Sequence, residues 1–255
     1  MPNVLVEKKD NHLTVVTLNR PDQRNALSIE LLIALSDAIS AAENDPSQRV
    51  LILRGAGPVF CAGLDLKEAT DISRARQSGE LVAQNLIALS ESRLVTIAVV
   101  HGAAVAGGAG LMSTCDFVVA AEGTKIGYPE VRRGLVAGLV MTFLRRQLRE
   151  RDVRELLLAS ELIDANRACA IGLINRVVPE SDLMREAQTI AKSVLQGAPG
   201  AVQNSKHLLA QLWPTAVRDD VKRALQDHMH ARESDEAKEG IAAFVEKRSP
   251  RWIRN

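Results

Sequence analysis

Two short runs without a polar side chain, Val50-Leu51-Ile52-Leu53 and Ile97-Ala98-Val99-Val100, each lead directly into a glycine-rich turn. A strand that is apolar at every position needs both faces covered, the pattern of a parallel sheet packed between helices rather than one with a wet face. The first turn is Arg54-Gly55-Ala56-Gly57-Pro58-Val59-Phe60-Cys61-Ala62-Gly63-Leu64-Asp65-Leu66, and the second is His101-Gly102-Ala103-Ala104-Val105-Ala106-Gly107-Gly108-Ala109-Gly110. Where such a turn opens a helix, the first N–H groups have no intrahelical acceptor and point the same way, which suits them to an anion. Two donors from separate turns can converge on one oxygen, the arrangement of an oxyanion hole. Neither turn has the spacing of GxGxxG or of a Walker A loop, which disfavours dinucleotide and nucleoside triphosphate binding.

The remaining pattern is α/β. Leu13–Leu18 reads as a strand broken by Asn19-Arg20-Pro21-Asp22, and Ser28 as the cap of a helix that stops near Asn44-Asp45-Pro46. Residues 68 to 92 read as a polar helix interrupted at Ser78-Gly79, and Phe117–Ala120 as a further strand. Residues 152 to 158 form one helix. Asp164 caps another, closed by Gly172 and followed by a strand over 174–178. Ser181 is placed to cap a helix ending at Gly197-Ala198-Pro199-Gly200, the best candidate boundary in the chain. Residues 1–197 then form the core and residues 198–255 a helical region, whose stripe of Val217, Val221, Leu225 and Met229 is expected at a subunit interface.

The chain has 255 residues, 46% of them hydrophobic but only 3% aromatic, so aliphatic side chains must build the core. A net charge of +1 without a basic block gives no nucleic-acid surface. Three cysteines, none in a CxxC, point to a reducing compartment, and no apolar run reaches the length of a membrane span. A cytoplasmic protein is expected. His228 and His230 lie two apart on a helix and so face different ways, which makes a poor metal pair, and no metal site is expected. Asp116 is expected to fix a turn rather than to touch a ligand. On its residues alone, Glu130 in Gly127-Tyr128-Pro129-Glu130 reads first as a helix-start carboxylate that satisfies backbone donors after Pro129.

The runs FCAGLDLKE (60 to 68), HGAAVAGGAGLMSTCD (101 to 116), GYPEVRRGL (127 to 135) and EGIAAFVEKRSP (239 to 250) together resemble the enoyl-CoA hydratase/isomerase, or crotonase, superfamily, in the right order over essentially the whole chain. The resemblance implies an α/β spiral core of repeated ββα turns with a C-terminal α-helical trimerisation region, assembled as a homotrimer or a dimer of trimers. It implies a CoA thioester as substrate and no separate cofactor. By position, the N–H groups of Leu64 and Gly107 would bind the thioester oxygen, and Glu130 would act as general base and then acid, its pKa raised by burial. The Arg24-Asn25-Ala26-Leu27 segment matches the loop along which CoA approaches, with Arg24 offered to phosphate and Ala26 to adenine. Ala62 and Gly108 within the two turns and Lys67 just past the first are expected to contact the substrate or its CoA, Tyr128 is expected on the acyl pocket, and Phe244 and Lys247 lie in the tail segment that reaches CoA, often on a neighbouring subunit.

One departure bears on the reaction. Family hydratases carry a second glutamate at the position that aligns with Gly110, where two carboxylates can orient a water and deliver its proton. A single carboxylate suffices to lift a proton from C2 and return it at C4. Double-bond isomerisation is therefore expected ahead of hydration. Gly138, the position of a further acid in the dienoyl-CoA isomerases, is also glycine. The alternatives are a 2-enoyl-CoA hydratase with a non-standard second group and a non-catalytic acyl-CoA-binding scaffold.

Overall fold

A computed structural model of the chain describes residues 1–9, 12–65, 68, 72–213 and 215–253. Strands β1 (Val4–Lys9) and β2 (Leu13–Leu18) form an antiparallel pair, and β3 (Val50–Gly55), β4 (Val95–Val100), β6 (Phe117–Ala121) and β9 (Arg176–Val178) continue the sheet in parallel. Its order is β1-β2-β3-β4-β6-β9. A smaller sheet sets β5 (Ala103–Val105) parallel to β7 (Lys125–Gly127), with β8 (Ile163–Asp164) antiparallel at its edge. The chain thus passes from β4 to β5 into helix α3 (Gly107–Ser113), and again from β6 to β7 into a 3₁₀ turn and helix α4 (Gly138–Gln147). These are the repeated strand-strand-helix turns expected of the core.

The apolar strands are covered on both faces. Val50, Ile52, Ile97 and Val99 pack with Leu183, Ala187 and Ala191 of helix α7 (Leu183–Leu195) on one side. Leu51, Leu53, Ala98 and Val100 point the other way, into the main core with Leu31, Leu32 and Leu35 of helix α1 (Ile29–Glu43). Period-two alternation makes this division automatic once both faces are dry. The Ser28 Oγ accepts from the Leu31 N–H and Asp164 accepts from the Arg167 N–H, so both expected caps form.

Four local expectations give way. Helix α2 (Ile72–Glu91) runs unbroken through Ser78 and Gly79, because Gly79 sits against Leu225, His228 and Met229 of helix α9 (Val217–Glu233), and its missing side chain permits that approach. The helix over 152–158 is divided between α5 (Glu150–Arg154) and a π turn over Glu155–Ala159. Strand β9 starts only at Arg176, since Ile174 N–H turns back to Ala168 and Asn175 Oδ1 accepts from Val118 N–H. Ser181 lies within a 3₁₀ turn, Glu180–Asp182, and α7 begins after Asp182 without a side-chain cap.

The C-terminal region comprises α8 (Pro199–Gln211), α9 and α10 (Asp235–Val245). The α9 stripe is not an external face: Val217 and Val221 join the main core, where α9 packs between α2 and α4 of the same chain. Gly138 allows this crossing, since a Cβ there would lie 2.8 Å from the Ala224 carbonyl oxygen. The exposed apolar face belongs instead to the end of α8, at Leu208, Leu209, Leu212 and Trp213. No described helix is long and apolar enough to cross a membrane.

Candidate active site

The two glycine turns are stitched side by side. Cys61 N–H donates to Ala103 O and Val105 N–H to Cys61 O, closing a parallel bridge between Cys61 and Ala104. Glycines set how closely the turns meet. A Cβ on Gly108 would fall 2.6 Å from the Cys61 oxygen and 2.7 Å from its Sγ, and one on Gly63, at φ +91°, would fall 2.8 Å from Val105 O.

Leu64 is held from its other side by Leu27. Leu27 N–H donates to Gly63 O and Asp65 N–H to Leu27 O, so the intervening Leu64 N–H is turned away from Leu27. The Gly107 nitrogen lies close by, 3.6 Å from the place a Gly63 Cβ would occupy. Gly107 opens α3 after Ala106, which holds the unusual φ 51°, ψ −123° while donating to Gly127 O. A non-glycine residue in such a conformation stores about 1–3 kcal/mol and persists only where its surroundings fix it. Among the described residues, neither the Leu64 nor the Gly107 N–H donates to a protein acceptor. Both residues line one cavity of about 760 Å³.

Glu130 lies on the same cavity wall, in the 3₁₀ turn Pro129–Arg133. It is 9% exposed, and its Oε2 has no hydrogen-bond partner among the described residues. Burial pushes its carboxyl up to about 7 against the opposing pull of its own backbone N–H and the nearby Arg133 guanidinium. A carboxyl that ionises near neutrality gives and takes protons at similar free energy, which an acid/base group requires. The same turn meets α10 backbone to backbone: a Cβ on Gly134 or on Gly240 would come within 2.4 Å of the opposing main chain.

The loop before α1 forms another part of the wall. Arg24 and Asn25 both adopt left-handed φ values, 51° and 53°. The buried Asn25 side chain accepts from Arg20 N–H and donates to the carbonyls of Ala56, Val59 and Phe60, tying this loop to the first glycine turn. Arg20 reinforces the tie through Ala26 O at 2.7 Å and Asp65 at 3.2 Å. Asn25 was not singled out from the sequence, although an asparagine is the side chain best suited to this left-handed, multiply bonded position.

Of the residues expected at the site, Ala26, Ala62, Leu64, Gly107, Glu130, Phe244 and Lys247 line the cavity. Phe244 and Lys247 do so within their own chain, with the Arg133 guanidinium 4.4 Å from the Phe244 ring centroid. Three lie elsewhere. Tyr128 is wholly buried in the main core, Gly108 is wedged against Cys61, and the Arg24 side chain is exposed and does not line the cavity. Lys67 lies outside the described residues. His101 bonds Gly57 O at 2.7 Å, and Asp116 accepts from Thr96 and Lys206, so both act on turns. Among the described residues no group of three or more His, Cys, Asp and Glu is placed to hold a metal ion.

A Cβ on Gly110 would sit 2.6 Å from Val140 Cγ1 and 3.5 Å from Leu86, so a side chain there requires Val140 to move. Val140, which also lines the cavity, therefore stands where a side chain at position 110 would project. The cavity wall also includes His228, whose sequence context marks it only as one half of a poor metal pair. The signal was present in its spacing, since Val217, Val221, His228 and Arg232 are the buried positions of α9.

The family model described as enoyl-CoA hydratase/isomerase matches residues 8–255. A putative enoyl-CoA hydratase of Thermus thermophilus is 38% identical, the match covering 97% of this chain and all of that protein. A crotonyl-CoA hydratase of Syntrophomonas wolfei is 33% identical over 98% of each chain. The crystal structure of a carnitinyl-CoA hydratase from Mycobacterium avium superposes with a TM-score of 0.87 at 33% identity, covering 99% of this chain and 98% of the other. With these matches over its full length, the chain belongs to the enoyl-CoA hydratase/isomerase, or crotonase, family of enzymes.

Proposed function

We propose that this enzyme moves a proton at the carbon next to the carbonyl of an enoyl-CoA thioester, and that double-bond isomerisation is its principal reaction. The observation that carries the reading is Glu130, a buried carboxyl ionising near neutrality on the wall shared by Leu64 and Gly107. Removing the C2 proton of a 3-enoyl thioester places negative charge on the thioester oxygen. The two backbone N–H groups are the donors for that oxygen, each worth about 2.7–4 kcal/mol in comparable sites. Glu130 takes the proton from C2 and returns it at C4, leaving the 2-enoyl product and a regenerated carboxylate. The chemistry closes without a further cofactor.

CoA would enter past Ala26, Phe244 and Lys247, with Ala62 beside the thioester. Exposed Leu208 and Leu209 on α8, with Leu212 and Trp213 just beyond it, support self-association, in line with a homotrimer or a dimer of trimers. Hydration is the second reading, favoured by the names of the Thermus and Syntrophomonas relatives. Against it stands the aliphatic packing at Gly110. Purified enzyme given a 3-enoyl-CoA and, separately, a 2-enoyl-CoA decides, with the conjugated 2-enoyl thioester followed by its ultraviolet absorbance and water addition by product mass. The proposal expects isobaric conversion of the first to dominate, and faster gain of one water by the second would replace it with hydration.

A further inference from the structure

The cavity wall carries a cation for which the described residues supply no counterion. Arg133 shares the 3₁₀ turn Pro129–Arg133 with Glu130. With three residues to a turn, the two side chains leave from one face, about 6 Å apart along its axis. Both residues line the cavity. The Arg133 guanidinium lies over the Phe244 ring, and its Nη1 donates to Pro129 O at 3.3 Å. Among the described residues it has no other hydrogen bond and no ion pair, not even with Glu130.

The state of its donors indicates what it can bind. Arg133 is half-buried, and burial pulls down the pKa of the guanidinium, the cost of holding a cation partly away from water. Nε is buried and unpaired, whereas Nη2, also unpaired, keeps accessible surface. A guanidinium stacked through its face keeps the N–H groups of its plane for an anion, and their geometry matches a carboxylate. A carboxylate that meets Nη2 gains a charge-assisted hydrogen bond where water screens weakly, while an apolar group there displaces water from a cation and returns nothing. The long pantetheine arm of CoA holds its phosphates far from the carbon at which Glu130 acts, and Lys247 is the cation on the tail along which CoA is proposed to enter. Of the other acids on the wall, Asp65 is engaged by Arg20 at 3.2 Å, and Asp22 belongs to the turn before α1.

We infer that Arg133 is a specificity-determining residue that binds a carboxylate carried by the acyl group, so that the preferred substrates are CoA monothioesters of dicarboxylic acids. The inference rests on the cavity being the acyl-CoA site proposed above.

Calorimetric binding of saturated acyl-CoAs tests this without turnover. The probes are glutaryl-, adipyl- and pimeloyl-CoA, each against the neutral chain in which an isopropyl group replaces the terminal carboxylate, with free CoA as reference. The expected result is about tenfold or greater preference for at least one carboxylate-bearing chain over its neutral counterpart. Arg133→Met should abolish that preference while leaving the affinity for free CoA within about twofold of wild type. Arg133→Lys, which keeps the charge without the planar fork, should retain part of it. Arg133→Gln provides a second neutral variant should Met fold poorly. Wild-type enzyme that binds every neutral chain as tightly as its carboxylate-bearing counterpart overturns the inference, as does a preference that survives in both neutral variants. Arg133→Met that weakens free CoA and all acyl-CoAs alike would assign the guanidinium to the CoA phosphates and overturn it too. The expected preference combined with no turnover of any enoyl-CoA would uphold the inference and remove the proposed reaction. Failure of every acyl-CoA to bind would remove the substrate class itself, and this inference with it.

Discussion

Replacing Glu130 by glutamine should stabilise the protein at alkaline pH while removing its activity. The ordinary value for this carboxyl is 4.5, and burial raises it to about 7. Between those values the folded state holds a proton that the unfolded chain has released. Its stability therefore falls as pH rises through this window, by up to about 1.4 kcal/mol for each pH decade, and the loss is complete above pH 7. The gap from 4.5 to about 7 corresponds to about 3 kcal/mol. Glutamine has the same shape and no charge, so the variant escapes the loss. Urea unfolding of wild type and Glu130→Gln at one protein concentration, at pH 5 and pH 8, measures the change directly. The stability difference between the two proteins should shift by about 2–3 kcal/mol in favour of the variant on going from pH 5 to pH 8. A difference independent of pH would mean that Glu130 ionises as an ordinary surface carboxylate, and the case for it as an acid/base group poised near neutrality would fail.

Other substitutions probe the surrounding geometry. Gly108→Ala drives a methyl into the Cys61 carbonyl and Sγ, and should destabilise by about 1–3 kcal/mol while lowering kcat/KM by about 100-fold, because the two turns are forced apart; urea unfolding and steady-state kinetics read both. Gly110→Glu should fold poorly against Val140, whereas Gly110→Glu with Val140→Gly should recover solubility and raise the ratio of water addition, read by product mass, to isomerisation, read by the absorbance of the conjugated thioester. Asp116→Ala leaves the Thr96 N–H and the Lys206 ammonium without their shared acceptor, for a stability loss of about 1–3 kcal/mol in urea, with kcat unchanged for the folded enzyme.

What the sequence made legible follows from how local each signal is. The apolar strands, the Ser28 and Asp164 caps and the two glycine turns depend on neighbours within a few residues, and they form as expected. Glu130 is different: nothing local separates a proton-transfer carboxylate from one capping a short helix, and the family motif alone singled it out. This part of the cavity wall was least legible because Gly79, Val140 and His228 come from three helices that meet only in the folded chain. Gly79 looked like a helix break but serves a helix crossing. The α9 stripe looked like a subunit interface because sequence periodicity gives the direction of an apolar face without saying what covers it; α2 and α4 do. Tyr128 shows the opposite error, since adjacency to Glu130 in sequence does not carry it to the wall when it turns into the core.

Solvent deuterium exchange tests the central claim most directly. A 3-enoyl-CoA is incubated with enzyme in D₂O and its C2 and C4 positions are followed by NMR. Wild-type enzyme should introduce deuterium at those carbons, and Glu130→Gln should slow the exchange by at least about 100-fold. Exchange at an undiminished rate in the variant, or product formed by wild type without any loss of a C2 hydrogen, would contradict proton transfer through Glu130.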